Sequence, residues 1–217
     1  EVVPELRAFL LSMEVYPGLG IDGTVARDEE KAADPRTGRI YDELMFRHWD
    51  TWEDGKRSHL FLLAGESDTP VDLMPDLDAD VPTRPWGGME EVAVAPDGAE
   101  VVFTAKILPG SEPAWSTDYD LYAVPADGSG AWTCLTEANQ AWDAAPLFSP
   151  DGKTLAWKAM ARPGFEADRF AIKLMAWPDG DVRTLDLIHD GLKLSPRQLL
   201  WSEDGEILYC NADYLGQ

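Results

Sequence analysis

Leu147-Phe148-Ser149-Pro150-Asp151-Gly152-Lys153-Thr154-Leu155-Ala156-Trp157 reads as two short apolar strands joined by a tight turn. Pro150 presets its own φ, and Gly152 takes the positive φ that closes such turns. The same pattern stands upstream at Val92-Ala93-Val94-Ala95-Pro96-Asp97-Gly98-Ala99-Glu100-Val101-Val102-Phe103. It returns downstream at Leu199-Leu200-Trp201-Ser202-Glu203-Asp204-Gly205-Glu206-Ile207-Leu208-Tyr209. The turns at Asp97, Asp151 and Asp204 are 54 and 53 residues apart.

Each hairpin leads into a second pair of strand-like runs. After the first come Tyr119–Val124, a turn at Asp127-Gly128, and Ala131–Leu135; after the second come Phe170–Met175, Asp179-Gly180 and Val182–Leu185. Four strands in a repeat of about 50 residues is the pattern of a propeller blade, which buries its faces only against its neighbours. The sequence therefore predicts an all-β fold: a partial β-propeller of about 3 to 3.5 four-stranded antiparallel blades in one domain, with one helical insertion. The blade pieces are expected at about 1–84, 85–139, 140–192 and 193–217.

In the N-terminal piece, Phe9–Tyr16, Ser58–Leu63 and Pro70–Met74 read as the second, third and fourth strands, without the opening Pro-Asp-Gly hairpin. The chain stops after the second strand of the last blade. The strand count expected is three, four, four and two. Both ends then leave open sheet edges, which invite edge-to-edge pairing of two copies. The insertion at 17–56 breaks the rhythm. Thr24–Ala33 is polar and helix-prone, and Asp34-Pro35 ends it. Ile40–Trp49 fits a strand or a short helix equally well.

The formal net charge is −22, from 18 basic and 40 acidic side chains. Nucleic acid and anionic membranes, which require basic patches, are excluded as partners. The plain reading of this charge is solubility; the sharper one is a field that attracts cationic groups such as peptide amino termini. No apolar run approaches the roughly 20 residues that cross a bilayer. The N-terminus has no leader pattern, which leaves periplasmic and cytoplasmic locations both open. Cys134 and Cys210 are too few for a disulfide framework and read as buried free thiols.

Few motifs suggest chemistry. Gly18-Leu19-Gly20-Ile21-Asp22-Gly23 matches a dinucleotide fingerprint by letter. The helix that follows lacks an apolar face, so the run reads as a glycine-rich turn and no cofactor is expected. No Gly-x-Ser-x-Gly elbow occurs, so no catalytic residue is assigned. His48, His59 and His189 have no metal-site spacing, and Asp76-Leu77-Asp78-Ala79-Asp80 lacks the glycine and distal glutamate of an EF-hand loop. No metal is expected. Glu112–Asp118 and Arg162–Arg169 interrupt successive repeats at the same point, between the second and third strands. They should emerge on one rim and bring Trp115, Phe165, Glu166, Asp168 and Arg169 near one another. Carboxylates beside aromatic rings can hold a peptide's ammonium group; the plainer reading is a salt-bridge network that braces adjacent loops.

Several longer runs carry a resemblance. Arg47-His48-Trp49-Asp50-Thr51-Trp52 with Ser58-His59-Leu60-Phe61, Thr117-Asp118-Tyr119-Asp120-Leu121-Tyr122, Phe148–Lys153, Arg162–Arg169 and Ala212-Asp213-Tyr214-Leu215-Gly216-Gln217 together resemble the propeller of bacterial dipeptidyl-peptidase and acylaminoacyl-peptidase-like enzymes of the prolyl oligopeptidase family. The resemblance implies an N-terminal propeller that filters and orients peptide substrates for a C-terminal α/β-hydrolase domain carrying the Ser-Asp-His triad. That domain is the expected partner, and Glu166 and Asp168 are the expected contacts to a substrate amine. The alternative is an interaction propeller resembling those of the Tol system, without peptidase activity.

Overall fold

The computed structural model of the chain describes residues 2–3, 8–42, 46–48, 50–65, 67 and 69–214. Strand β1 (Val2–Val3) pairs with β2 (Ala8–Val15), which leads into helix α1 (Gly20–Ala33). A small hairpin, β3 (Arg47–His48) and β4 (Thr51–Trp52), precedes β5 (Arg57–Ala64) and β6 (Val71–Asp72). The first sheet has the order β1-β2-β5-β6. It therefore has four strands rather than the three expected. The extra one is only two residues long, too short to show a period in the sequence.

The second sheet comprises β7 (Val92–Val94), β8 (Glu100–Ala105), β9 (Asp120–Pro125) and β10 (Thr133–Cys134). The third comprises β11 (Asp143–Phe148), β12 (Thr154–Ala159), β13 (Ala171–Ala176) and β14 (Val182–Leu185). A separate hairpin, β15 (Leu187–His189) and β16 (Leu192–Leu194), leads to the last pair, β17 (Pro196–Trp201) and β18 (Leu208–Ala212). Neighbouring strands within every sheet are antiparallel.

Burial parity shows why these sheets stack as blades. Successive side chains of a strand point to opposite faces. On β8 and β9, Val101, Phe103, Tyr122 and Val124 join Leu10 and Leu60 of the first sheet and Leu73 just beyond β6. The alternate residues Val102, Leu121 and Ala123 join Phe148, Leu155 and Trp157 of the third. Ala156, Ile172 and Leu174 then face Leu199, Trp201 and Leu208 of the last pair. Each middle strand is apolar on both sides because both sides are interfaces. The resulting arc of stacked antiparallel sheets is a partial β-propeller.

The Asp-Gly turns of the three hairpins, two of them Pro-Asp-Gly and the last Glu-Asp-Gly, sit on one rim and repeat in detail. Gly98, Gly152 and Gly205 donate to the carbonyls of Ala95, Ser149 and Ser202, closing three like turns. Asp97, Asp151 and Asp204 each accept the backbone N–H two residues on. Each turn also nests on the one before it: a Cβ at Gly152 would lie 3.4 Å from Pro96, and one at Gly205 would lie 3.5 Å from Pro150. All long connections emerge on the opposite rim: the insertion, the segments before β7, β11 and β17, and the links β8–β9 and β12–β13.

Helix α1 starts four residues earlier than expected and stops where Asp34-Pro35 requires, with Asp34 extended. Gly18 and Gly20 take positive φ, so the fingerprint-like run is a turn into a polar helix whose one buried residue is Thr24. Thr24 Oγ1 accepts the Tyr16 N–H. Within Ile40–Trp49, 40–42 lack regular structure and Arg47–His48 form β3, while 43–45 and Trp49 lie outside the described residues, as do Leu215–Gln217. No helix among the described residues is long and apolar enough to cross a membrane.

Candidate functional site

The candidate site lies on the rim of long connections, where the second and third sheets meet. The segment entering β7 carries Thr83-Arg84-Pro85-Trp86-Gly87 and a 3-10 turn, Met89–Glu91. Glu91 is buried, and its carboxylate accepts the Thr83 N–H at 2.8 Å and the Thr83 hydroxyl at 2.8 and 2.9 Å. Burial pushes its pKa upward despite those bonds. Gly87 is required here, since a Cβ would collide with the Thr83 carbonyl and the Glu91 carboxylate. Arg84 is spent on Glu14 and, at 3.2 Å, on Asp80.

Across from this segment, three rings form a ladder from one blade to the next. Tyr119 stacks on Trp142 with centroids 4.9 Å apart, and Phe170 meets Trp142 edge-on at 5.8 Å. Tyr119 immediately precedes β9, and Phe170 immediately precedes β13 at the equivalent place in the next blade. Each end of the ladder carries a lysine: Lys106 lies 4.3 Å from the Tyr119 ring centre and Lys158 lies 5.3 Å from that of Phe170. Lys106 donates to the carbonyls of Pro113 and Ser116, and Lys158 to that of Arg197. Burial lowers the pKa of both lysines and raises that of Tyr119 to about 12. Among the described residues, Trp142 Nε1 and Asp118 Oδ1 are buried without a partner.

Between the ladder and the β7 segment lies a cavity of about 220 Å³, lined by Trp86, Glu90, Tyr119, Trp142, Lys158 and Phe170 among others. A second, of about 410 Å³, shares Lys158 and Phe170 and continues towards Pro196 and Asp213.

The residues singled out in the sequence lie on the same rim. The two interrupting loops meet, for Gly164 donates its N–H to Thr117 Oγ1 at 2.8 Å. Trp115 is 79% exposed, and Phe165 lies under the Arg162 guanidinium at 4.0 Å. Glu166 is exposed, and its charge acts on Lys106 and Tyr119. Asp168 accepts the N–H groups of Ala161 and Arg162, which hold its carboxyl below the usual range. Arg169 pairs with Asp186 at 2.7 Å, not with Asp168, and Lys193 joins the same carboxylate.

His59 is fully buried, with Nδ1 3.0 Å from Asp72 and Nε2 2.8 Å from the Leu77 carbonyl, a structural position. Arg57 binds Asp78 and Asp80, so the acidic loop is tied by a cation of the chain itself. Among the described residues no cluster has the makings of a metal site. Cys134 and Cys210 are free, as expected, but half-buried rather than buried.

Sequence reasoning missed the cavity. Its signals were the pair Gly87-Gly88 ahead of two acids, directly before an inner strand, and the equivalent placing of Tyr119 and Phe170 in successive repeats.

Comparison with known proteins places the chain. No family model matches it. It is 34% identical over 149 residues to dipeptidyl-peptidase 5 of Porphyromonas gingivalis, which covers 67% of this chain and 22% of that protein. It is 29% identical over 194 residues to the probable dipeptidyl-peptidase 5 of Arthroderma benhamiae, covering 82% of this chain and 26% of that one. The chain thus spans about a quarter of the length of the curated relatives it matches. Among solved structures, a Mycobacterium tuberculosis puromycin-hydrolyzing peptidase is 25% identical, with a TM-score of 0.49 over 72% of this chain and 23% of that one. TolB from Acinetobacter baumannii is 17% identical, with a TM-score of 0.42 over 75% of this chain and 39% of that one.

Proposed function

This chain is a propeller homologue of dipeptidyl-peptidase 5, of the prolyl oligopeptidase family, and on that premise we propose that it gates and orients peptide substrates for a serine exopeptidase. In this reading residues 1–217 form one domain, with blade pieces at about 1–84, 85–139, 140–192 and 193–217 and an insertion at 17–56. The catalytic Ser, Asp and His belong to a C-terminal α/β-hydrolase domain of the same polypeptide. The share of the relatives' length that the chain matches leaves room for such a domain.

One observation supports the site most: the loops carrying Trp115 and Phe165 are tied together by Gly164 and Thr117 on the rim where every long connection emerges. That rim offers a peptide an exposed indole at Trp115, a ring at Phe165 and a free carboxylate at Glu166. Glu166 is the group best placed to meet a substrate ammonium. Asp168 acts one step back, by fixing the backbone of its loop, and Arg169 ties that loop to Asp186.

The test is hydrolysis of chromogenic dipeptide and acyl-amino-acid substrates. The full-length protein should cleave, with loss on replacing its hydrolase serine, and this chain alone should not. In the full-length protein Glu166→Gln should raise KM for free-amine substrates about tenfold, the value of one charge-assisted hydrogen bond, and leave acylated ones unchanged. If the full-length protein cleaves neither class, the gating role is wrong and a Tol-like interaction module takes its place.

A further inference from the structure

We propose that the cavity between the second and third sheets is a pocket for a neutral aromatic ring, the side chain of an aromatic residue in a bound peptide. That the ring arrives on a peptide rests on the reading above; that the pocket takes a ring does not.

Charge of either sign is already present and balanced: Arg84 and Lys158 stand on the wall with Glu90 and Glu91. Most of these groups are occupied. Glu91 is bound to Thr83, Lys158 to the Arg197 carbonyl, and Arg84 to Glu14 and Asp80. With both signs on the wall, a charged guest of either sign meets repulsion as well as attraction and also loses its hydration. A neutral guest meets neither penalty. Among the remaining lining residues stand four aromatic side chains, Trp86, Tyr119, Trp142 and Phe170, beside small ones such as Ala144 and Ala145. Tyr119, Trp142 and Phe170 already pack stacked and edge-on, the arrangements in which ring quadrupoles attract, and a fourth ring would extend the set. A space of about 220 Å³ is small for a drug-sized ligand but suits a single side chain. Trp86 lines the same cavity and is 71% exposed to solvent.

The experiment titrates the full chain with N-acetyl-phenylalaninamide, N-acetyl-leucinamide and tetramethylammonium, read by tryptophan fluorescence and by NMR shifts of the indole N–H groups. The phenylalanine amide should saturate and bind about fivefold more tightly than the leucine amide, the worth of one added ring contact. Trp86→Ala, with retention of the fold checked by circular dichroism, should weaken that binding by a similar factor. Glu90→Gln should leave it unchanged. Equal binding of the leucine amide, or saturation by tetramethylammonium that Glu90→Gln abolishes, overturns the proposal; so does the absence of saturable binding. Hydrolysis of peptides by the full-length protein without ring binding by the chain removes the pocket and leaves the gating role standing. Ring binding without hydrolysis does the reverse.

Discussion

Among the described residues, Asp143 is one whose chemistry is strongly altered by the fold. It is 1% exposed, accepts the Trp157 indole N–H at 2.6 Å and the Asn139 amide at 2.7 Å, and burial still pushes its pKa to about 7. A carboxyl that titrates near 7 folded and at its ordinary 3.8 unfolded binds its proton more tightly in the folded state. Its contribution to stability is therefore complete below about pH 4 and falls as pH rises towards 7, by an amount on the order of 4 kcal/mol. Asp143→Asn should flatten this slope, and urea midpoints at pH 4.5, 6 and 7.5 for the two proteins measure it. A second residue-scale prediction compares two glycines with nearly equal backbone. Gly152 (φ 70°) faces Pro96 at 3.4 Å, whereas Gly164 (φ 72°) faces open space. Gly164→Ala should cost about 1 kcal/mol of left-handed strain, and Gly152→Ala roughly twice that, because its methyl also presses on the preceding blade. Equal losses in chemical denaturation would show that the turns do not nest in solution.

The elements show what a chain can and cannot announce about itself. The Pro-Asp-Gly hairpins were legible because every part of the signal is local: proline, aspartate, glycine and flanking apolar runs fall within a dozen residues. Ser149 adds to this, for its hydroxyl donates to Asp151 and accepts the Thr154 N–H, and Ser202 repeats the pattern with Asp204 and Ile207. With its carboxylate so held, Asp151 has a pKa of about 2, and Ser149→Ala should cost about 1 kcal/mol in urea unfolding. Ala95 occupies the same position in the first repeat, so the substitution should be tolerated. The β15–β16 hairpin was missed although Asp190-Gly191 marks its turn, with φ of 48° and 75°. Its strands bury no continuous face, and Ile188 is 60% exposed, so no apolar period accompanies the turn. The loops carrying Trp115 and Phe165 were placed on one rim from repeat position alone. The cavity beside them was not, because Glu91, Trp142 and Phe170 come together only when two blades stack, and nothing local encodes that approach.

At the scale of the molecule, stability is a chain of nearest-neighbour contacts. The second and third sheets are covered on both sides, whereas β17 and β18 are covered on one, with Leu200 and Tyr209 outward. Hydrogen exchange should be slowest in β8 and β12, faster in β17–β18, and fastest in the β15–β16 hairpin. Uniform protection across the sheets would contradict this reading. The net charge of −22 adds a global term of the opposite kind. Self-repulsion weakens the compact state, so raising salt from low to moderate concentration should raise the urea midpoint.

The nesting of each turn glycine on the proline one blade earlier has a consequence for descent. The socket and the peg lie on the same stretch of about 54 residues, since Pro150 and Gly152 share one turn. A gene that copies that stretch in tandem acquires a blade already fitted to its parent and ready to receive its own offspring. Inheritance by duplication then needs no matching change elsewhere in the coding sequence, and the rim loops, which take no part in the joint, are left free to diverge.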